Sequence, residues 1–241
     1  MPDNDFEMPR KVSVETSAFC NRKCPWCPQH DLPREQHLLP MELFEKVVRE
    51  LAEVGYDSSF GLHLFNEPLF DERLVDLVRI AKEGLPRASI YFHSNGDILT
   101  VSKFRELLAA GLSGCHVNQY DENATAKILA VRDGLTESER THMKLHRFMK
   151  RNIFNRAGLV QTARQVPLSR QCRRARQLCV NYKGDVILCC CDYLGQVCAG
   201  NVRDANCIDL FNDPVFKDYR AKLKFGQRAG LKLCEKCDLF G

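Results

Sequence analysis

Three cysteines in one eight-residue stretch, Cys20-Asn21-Arg22-Lys23-Cys24-Pro25-Trp26-Cys27, constrain this chain more than any other feature. The C-x3-C-x2-C spacing gathers three soft thiolate donors in one loop, a donor set that suits iron–sulfur clusters and zinc. Three thiolates can hold three corners of a cubane 4Fe–4S cluster and leave the fourth iron without a protein ligand from this loop. An open iron binds a small molecule, so such a site can do chemistry. Two other readings of the same residues stand beside it. Cys24 and Cys27 can pair with Cys234 and Cys237 in a structural zinc site, and the triad can hold a ferredoxin-like electron-transfer cluster.

The cysteine count decides what kind of chain surrounds this loop. Thirteen cysteines, an odd number, in a chain with no secretory h-region in Met1 to Arg10 point to metal ligation in a reducing cytoplasm rather than to a disulfide framework. No apolar run approaches a membrane span. A net charge of +4 is too small to argue for nucleic acid. With 241 residues, 44% of them hydrophobic, the chain can bury one large core with a small appendage.

Strand and helix patterns alternate along the first part of the chain. Lys11 to Thr16 reads as a strand that runs directly into the cysteine loop. Pro40 opens a helix through Val54 with one apolar face, stopped by Gly55. Phe60 to Phe65 is a second strand, and Asp71 caps the helix after it. Ser89 to Phe92, Gly114 to Gln119 and His142 to Met149 follow as strands. Helices start at Thr100 or Ser102 and at Glu122. About five parallel βαβ units fit before residue 150, too few to close an eight-fold barrel. The expected fold is α/β, a partial open barrel of the (β/α)6 type over residues 1–150. Residues 151–241 form a small extension. The chemically interesting residues all fall just after strands, where barrels of this kind build their sites. No G-x-G-x-x-G or Walker pattern occurs, which argues against dinucleotides and ATP.

The triad spacing, with Trp26 before its last cysteine, resembles the radical SAM superfamily. The resemblance implies that S-adenosylmethionine chelates the open iron of the triad cluster, held by Cys20, Cys24 and Cys27. Trp26 would then lie near the adenine. Phe65-Asn66-Glu67-Pro68 resembles the family's G-G-E-P motif, with Asn66 where glycine is usual, and Glu67 would accept a bond from the cofactor's ammonium. Ser94-Asn95-Gly96 resembles its ribose-contacting segment, and Gln119 ends a strand that reaches cofactor or substrate. Read without the family, these segments are a helix start, an Asn-Gly turn and a polar strand end.

The second half is similar to the SPASM/Twitch extension of that superfamily. Its marks are Cys172, the hairpin Gly184-Asp185-Val186-Ile187-Leu188-Cys189, Gly200-Asn201-Val202 and Cys234-Glu235-Lys236-Cys237. The chain ends four residues after Cys237, so one auxiliary 4Fe–4S cluster is expected, on Cys172, Cys189, Cys234 and Cys237. Cys179, Cys190, Cys191 and Cys198 lie near enough in sequence to compete. Cys115 and Cys207 read as small packed side chains. Six histidines, His30, His37, His63, His116, His142 and His146, show no metal-ligand spacing and read as structural or surface residues.

In the Twitch dehydrogenases of aminocyclitols, which the chain resembles over most of its length, an arginine touches the substrate; Arg156 in Asn155-Arg156-Ala157-Gly158 matches it. Those enzymes also carry a carboxylate where this chain has Cys191, and a hydroxyl-bearing aromatic where it has His93. The resemblance implies reductive cleavage of S-adenosylmethionine to a 5′-deoxyadenosyl radical. That radical would take a hydrogen atom from a small polyol, sugar or aminocyclitol, giving a ketone. Return of a hydrogen atom from a thiol, with Cys191 or Cys190 as donor, would give an epimer instead. A flavodoxin or ferredoxin would supply the electron. Seven arginines and no acidic residue between 151 and 181 suggest either an anionic substrate, balance for cluster charge, or a solvated basic loop. The alternatives are a radical SAM enzyme acting on a peptide and a non-catalytic zinc or iron–sulfur protein. The first strand begins near residue 11, with little chain ahead of it for a recognition domain, which favours a small molecule over a peptide.

Overall fold

The computed structural model describes residues 6–147, 153–166 and 169–239. Five strands come from the first part of the chain: β1 (Lys11–Val14), β2 (Ser59–Gly61), β3 (Ser89–Ser94), β4 (Gly114–Gln119) and β5 (Met143–Arg147). Three follow: β6 (Gln177–Val180), β7 (Asp185–Ile187) and β8 (Cys198–Asn201). All eight join one sheet in the order β5-β4-β3-β2-β1-β6-β7-β8. The pairings from β5 across to β6 are all parallel, and β7 and β8 add on antiparallel. The sixth parallel strand of the partial barrel is therefore β6, from the part of the chain assigned to the extension. The sheet runs on without a break across the expected boundary at residue 150.

Four helices lie between the parallel strands: α1 (Met41–Glu53), α2 (Leu74–Gly84), α3 (Val101–Ala109) and α4 (Glu122–Asp133). A short α5 (Glu137–Arg140) precedes β5, and α6 (Cys207–Phe211) and α7 (Pro214–Lys224) follow β8. In α1, Leu43, Phe44, Val47, Val48 and Leu51 recur at helical spacing and are buried against the sheet. Each such side chain contributes roughly 1.5–3 kcal/mol. Thr100 caps α3 by accepting from Lys103 N. Cys115 and Cys207 are fully buried in the core, as their apolar neighbours imply.

Four sequence expectations shift. The strand expected over Phe60 to Phe65 stops at Gly61; Leu62 N still donates to Tyr91 O, but the Leu64 and Phe65 amides turn to side chains. Leu64 N donates to Asn66 Oδ1 and Phe65 N to Glu15 Oε1. The third strand continues through His93 and Ser94. Helix α2 begins at Leu74 rather than at a cap on Asp71, whose carboxylate instead accepts from Arg73 N and its guanidinium. The fifth strand ends at Arg147; Met149, like Arg151 of the arginine-rich segment, lies outside the described residues.

A carboxylate at the end of β1 ties three chain segments together. Glu15, fully buried, accepts from both terminal nitrogens of Arg34 at 2.9 and 2.7 Å. It also accepts from Phe65 N at 3.0 Å. The Arg34 guanidinium lies 4.8 Å from the ring centroids of both Tyr182 and Tyr193. Removing one partner of a buried pair strands the other charge, which costs about 3–5 kcal/mol. Glu15→Ala is therefore expected to lower the urea denaturation midpoint of the anaerobically purified protein by a matching amount.

Candidate active site

The carboxyl ends of the strands open on one cavity of about 800 Å³. Cys20, Cys24 and Cys27 line it, each partly exposed in the loop that leaves β1. Tight turns shape the loop: Cys27 N donates to Cys24 O and His30 N to Cys27 O. Asn21 and Arg22, between the first two cysteines, bond Asp97, and Arg22 also bonds Asp121. Tyr193 Oη donates to Leu32 O at 2.6 Å and anchors the far side of the loop. Trp26 lies against Tyr120, ring centroids 5.7 Å apart.

Glu67 stands across from the triad. It is 3% exposed, and its oxygens accept from Ser94 Oγ at 2.7 Å, Asn95 N at 2.6 Å and Leu69 N at 3.2 Å. Burial pushes its carboxyl up to about 7, against the lowering effect of those donors. Asn95 Nδ2 donates to Asn21 Oδ1 at 2.8 Å, which joins this strand end to the cysteine loop. Asn66 Nδ2 is buried on the cavity wall and finds no acceptor among the described residues. Such an orphan donor fits a wall meant for a polar ligand. Trp26, Asn66, Glu67, Ser94 and Asn95 are thus brought together as expected. Gln119 is not: β4 turns His116 and Asn118 inward, so Gln119 shares the opposite face with buried Val117, and Asn118 and Tyr120 line the cavity instead.

The barrel interior holds a histidine column that the sequence reading missed. His63 and His93 have ring centroids 4.6 Å apart, His93 and His116 are 4.7 Å apart, and His116 and His146 are 5.2 Å apart. His116 Nδ1 and His146 Nε2 share a hydrogen bond of 3.0 Å. Burial holds His93 down to about 3 and His116 down to about 4, so both are neutral at neutral pH. Three of these residues come from β3, β4 and β5, and His63 from the segment just after β2; all four rings stack on the inner side. Period-two alternation around Phe92 and Val117 was the signal that could have found them.

A second cavity sits beside the first, lined by Cys172, Cys189, Cys191, Cys234 and Cys237 together with apolar side chains, Arg174 and Arg228. The hairpin after β7 therefore sends Cys189 and Cys191 to this cavity and Cys190 into the first. That corrects the placement of Cys191 as the thiol facing the substrate; it is 1% exposed and on the other side of the hairpin. Arg156 does line the first cavity, and its Nη1 donates to Cys190 O at 3.1 Å. Arg156 and Ala157 both adopt left-handed backbone, at φ 48° and 55°, a conformation that costs non-glycine residues energy. The strained turn is pinned by Asn155, which exchanges bonds with Asp238 and donates to Lys236 O.

The two C-x2-C pairs line different cavities, so they do not combine into the single zinc site considered above. Among the described residues no three His, Cys, Asp or Glu side chains close on one ion. The thiols surround two spaces instead, and that donor set fits two sulfur-ligated clusters. Three sulfurs at the first space leave room for a further ligand beside Glu67, and at least four sulfurs close the second.

Two family profiles match the chain: the radical SAM superfamily over residues 14–159, and an iron–sulfur cluster-binding domain, SPASM, over residues 172–238. The chain belongs to the radical SAM superfamily. Its cofactors are S-adenosylmethionine and 4Fe–4S clusters, an auxiliary cluster included. Among curated proteins it is similar to the S-adenosyl-L-methionine-dependent 2-deoxy-scyllo-inosamine dehydrogenase of Niallia circulans. The two are 26% identical over 230 residues, 94% of this chain and 92% of that protein. Among solved structures, BtrN in complex with AdoMet and 2-DOIA aligns with a TM-score of 0.89 at 24% identity, covering 97% of this chain and 94% of that one. Streptococcus suis SuiB bound to precursor peptide SuiA aligns with a TM-score of 0.57 at 13% identity, covering 96% of this chain and 70% of that one. These structural likenesses establish the shared fold. No helix among the described residues is long and apolar enough to cross a membrane.

The raised carboxyl of Glu67 has a measurable consequence. Its folded-state value lies above the ordinary one, so the fold is favoured while Glu67 is protonated and loses that contribution as pH rises from about 4.5 to about 7. Glu67→Gln is expected to flatten this part of the stability–pH curve. A cofactor ammonium prefers the ionised form, so S-adenosylmethionine affinity of the wild type should rise as pH passes through about 7, and that of the variant should not. Equilibrium dialysis of the reconstituted protein against labelled cofactor at pH 6 to 8 reads this out.

Proposed function

We propose that this chain is a radical SAM dehydrogenase that oxidises one alcohol carbon of a small polyol, sugar or aminocyclitol to a ketone. One observation carries the reading. The cysteine triad and a floor of hydrogen-bonding side chains, among them Ser13, His63, His93 and Gln177, open on the same cavity. Its volume, about 800 Å³, is of the size that encloses a small-molecule ligand. Neutral imidazoles, a hydroxyl and an amide are suited to a substrate rich in hydroxyl groups. The name of the Niallia circulans relative, a 2-deoxy-scyllo-inosamine dehydrogenase, supports the same reading.

When bound, the cofactors supply one-electron cleavage of S-adenosylmethionine, hydrogen-atom abstraction and, at the auxiliary cluster, an acceptor for the second electron of the oxidation. The chain's own residues do the rest. Cys20, Cys24 and Cys27 hold the first cluster, with Glu67, Asn66, Ser94 and Asn95 around the cofactor and Trp26 beside it. Cys172, Cys189, Cys234 and Cys237 hold the second, with Cys191 available on the same cavity. Arg156 reaches the substrate from its strained turn. A small electron carrier of the flavodoxin or ferredoxin kind reduces the first cluster.

Epimerisation is a second reading, favoured by the turn of Cys190 into the cavity, where a thiol can return a hydrogen atom. The two outcomes separate in one experiment. Anaerobic enzyme is incubated with S-adenosylmethionine, dithionite and candidate polyols deuterated at single carbons. Dehydrogenation is expected to move deuterium into 5′-deoxyadenosine and leave a product two mass units lighter than unlabelled substrate. Epimerisation gives a product with the mass of unlabelled substrate in H2O, its deuterium replaced by hydrogen, and takes up solvent deuterium in D2O, and Cys190→Ala abolishes that uptake. Ala at all three triad cysteines should remove cofactor cleavage and the first cluster's absorbance; retention of both, or zinc as the resident metal, ends the radical reading.

A further inference from the structure

The charge of the cavity says more about the substrate than its size does. Lys11, Arg147, Arg156 and Arg174 all line it, and Glu67 is the one carboxylate among its described lining residues. A further lining cation, Arg22, is already held by Asp97 and Asp121. Among the described residues none of the other four is in an ion pair. Lys11 Nζ lies 4.9 Å from the ring centroid of Tyr91, and the Arg156 guanidinium donates to a carbonyl. Glu67 already accepts three hydrogen bonds and stands by the triad, so it does not neutralise this group.

Position separates two of these cations, Lys11 and Arg174, from the triad. Lys11 begins β1, while the triad follows the other end of that strand, so Lys11 lies at the floor of the barrel. It is paired in register with Gln177, three residues after Arg174, which brings the two cations to the same end. S-adenosylmethionine has one carboxylate, which the open iron of the cluster on Cys20, Cys24 and Cys27 would take. Arg174 also borders the second cavity and can serve the charge there. Lys11 borders only the first. An ammonium-bearing polyol would meet Lys11 and Arg156 with no free carboxylate to pair with; an acidic group would meet a ready set of donors.

We infer that the substrate of the dehydrogenation proposed above carries an acidic group, a phosphate or a carboxylate, which Lys11 and Arg174 receive at the barrel floor. This rests on the reading of the cavity as a polyol site and narrows its substrate class. The test is isothermal titration of anaerobically reconstituted, SAM-loaded enzyme with myo-inositol, scyllo-inosamine, myo-inositol 1-phosphate and glucuronate. The acidic probes are expected to bind at least tenfold more tightly than the neutral and amine-bearing ones, less so at high salt. A phosphate-only or carboxylate-only gain identifies the group. Lys11→Met should remove most of that gain and Lys11→Arg should keep it, with iron content confirming that each variant is loaded. Arg174→Gln, in an exposed residue at the same end as Lys11, provides a milder loss if Lys11→Met does not fold. Equal affinity across the four probes, no gain in either acidic series, or a gain untouched by these variants overturns the inference. Deuterium transfer from the same probes reports separately on dehydrogenation: turnover without acidic preference sinks the inference and leaves the oxidation reading intact. Acidic preference without turnover does the reverse.

Discussion

Glu15 is the point on which the geometry of the molecule depends. Its carboxylate ends the central strand β1 and faces three segments far apart in sequence. These are the exit of β2 at Phe65, the exit of β6 at Tyr182, and the cysteine loop through Arg34. A buried ion pair is weak evidence for stability, since its desolvation offsets its Coulomb energy. It is strong in geometry, because every lone pair here has an assigned donor. The triad, the Asn66-Glu67 turn and the entry to the auxiliary hairpin therefore hold a fixed relation to one another. The rings of Phe65, Tyr182 and Tyr193 around Arg34 exclude water from the pair and so maintain its strength.

The sheet adds a second constraint. Because β1 pairs parallel with both β2 and β6, the part of the chain that brings the auxiliary cysteines is built into the barrel sheet itself. Two cavities with sulfur linings thus share one hairpin, with Cys189 and Cys191 on one side and Cys190 on the other. The turn that follows β7 does this with three consecutive cysteines. A short, rigid wall between two metal centres suits transfer of an electron across it.

Much of this was legible in the sequence where local pattern and tertiary role agree. Gly114–Gln119 is the strand that alternation predicts, and the C-x3-C-x2-C loop faces the cavity as its chemistry requires. The failures share a cause: each depended on which face a residue takes relative to partners distant in the chain. Gln119 and Asn118 are both polar strand-end residues, and only the burial of Val117 decides between them. His63, His93, His116 and His146 look unrelated in sequence, because their column exists only across three strands and the exit of a fourth. β6 lies in the part of the chain assigned to the extension, and the iron–sulfur domain profile covers it as well. Its Leu178 and Val180 nevertheless pack into the main core. Among the cysteines 189 to 191, spacing alone gave no register, and the hairpin's turn settled it.

The left-handed pair Arg156–Ala157 carries a consequence for how the molecule responds to its contents. The turn is held in part because Asn155 grips Asp238 and Lys236, next to Cys237. Loss of sulfur ligation at the C-terminus would loosen that grip, let the turn relax, and withdraw the guanidinium from the first cavity. By thermodynamic reciprocity, a substrate that held Arg156 in place would in turn tighten the hold of the C-terminal loop on a bound cluster. The energetic strain in two backbone angles would then couple occupancy of one chamber to integrity of the other.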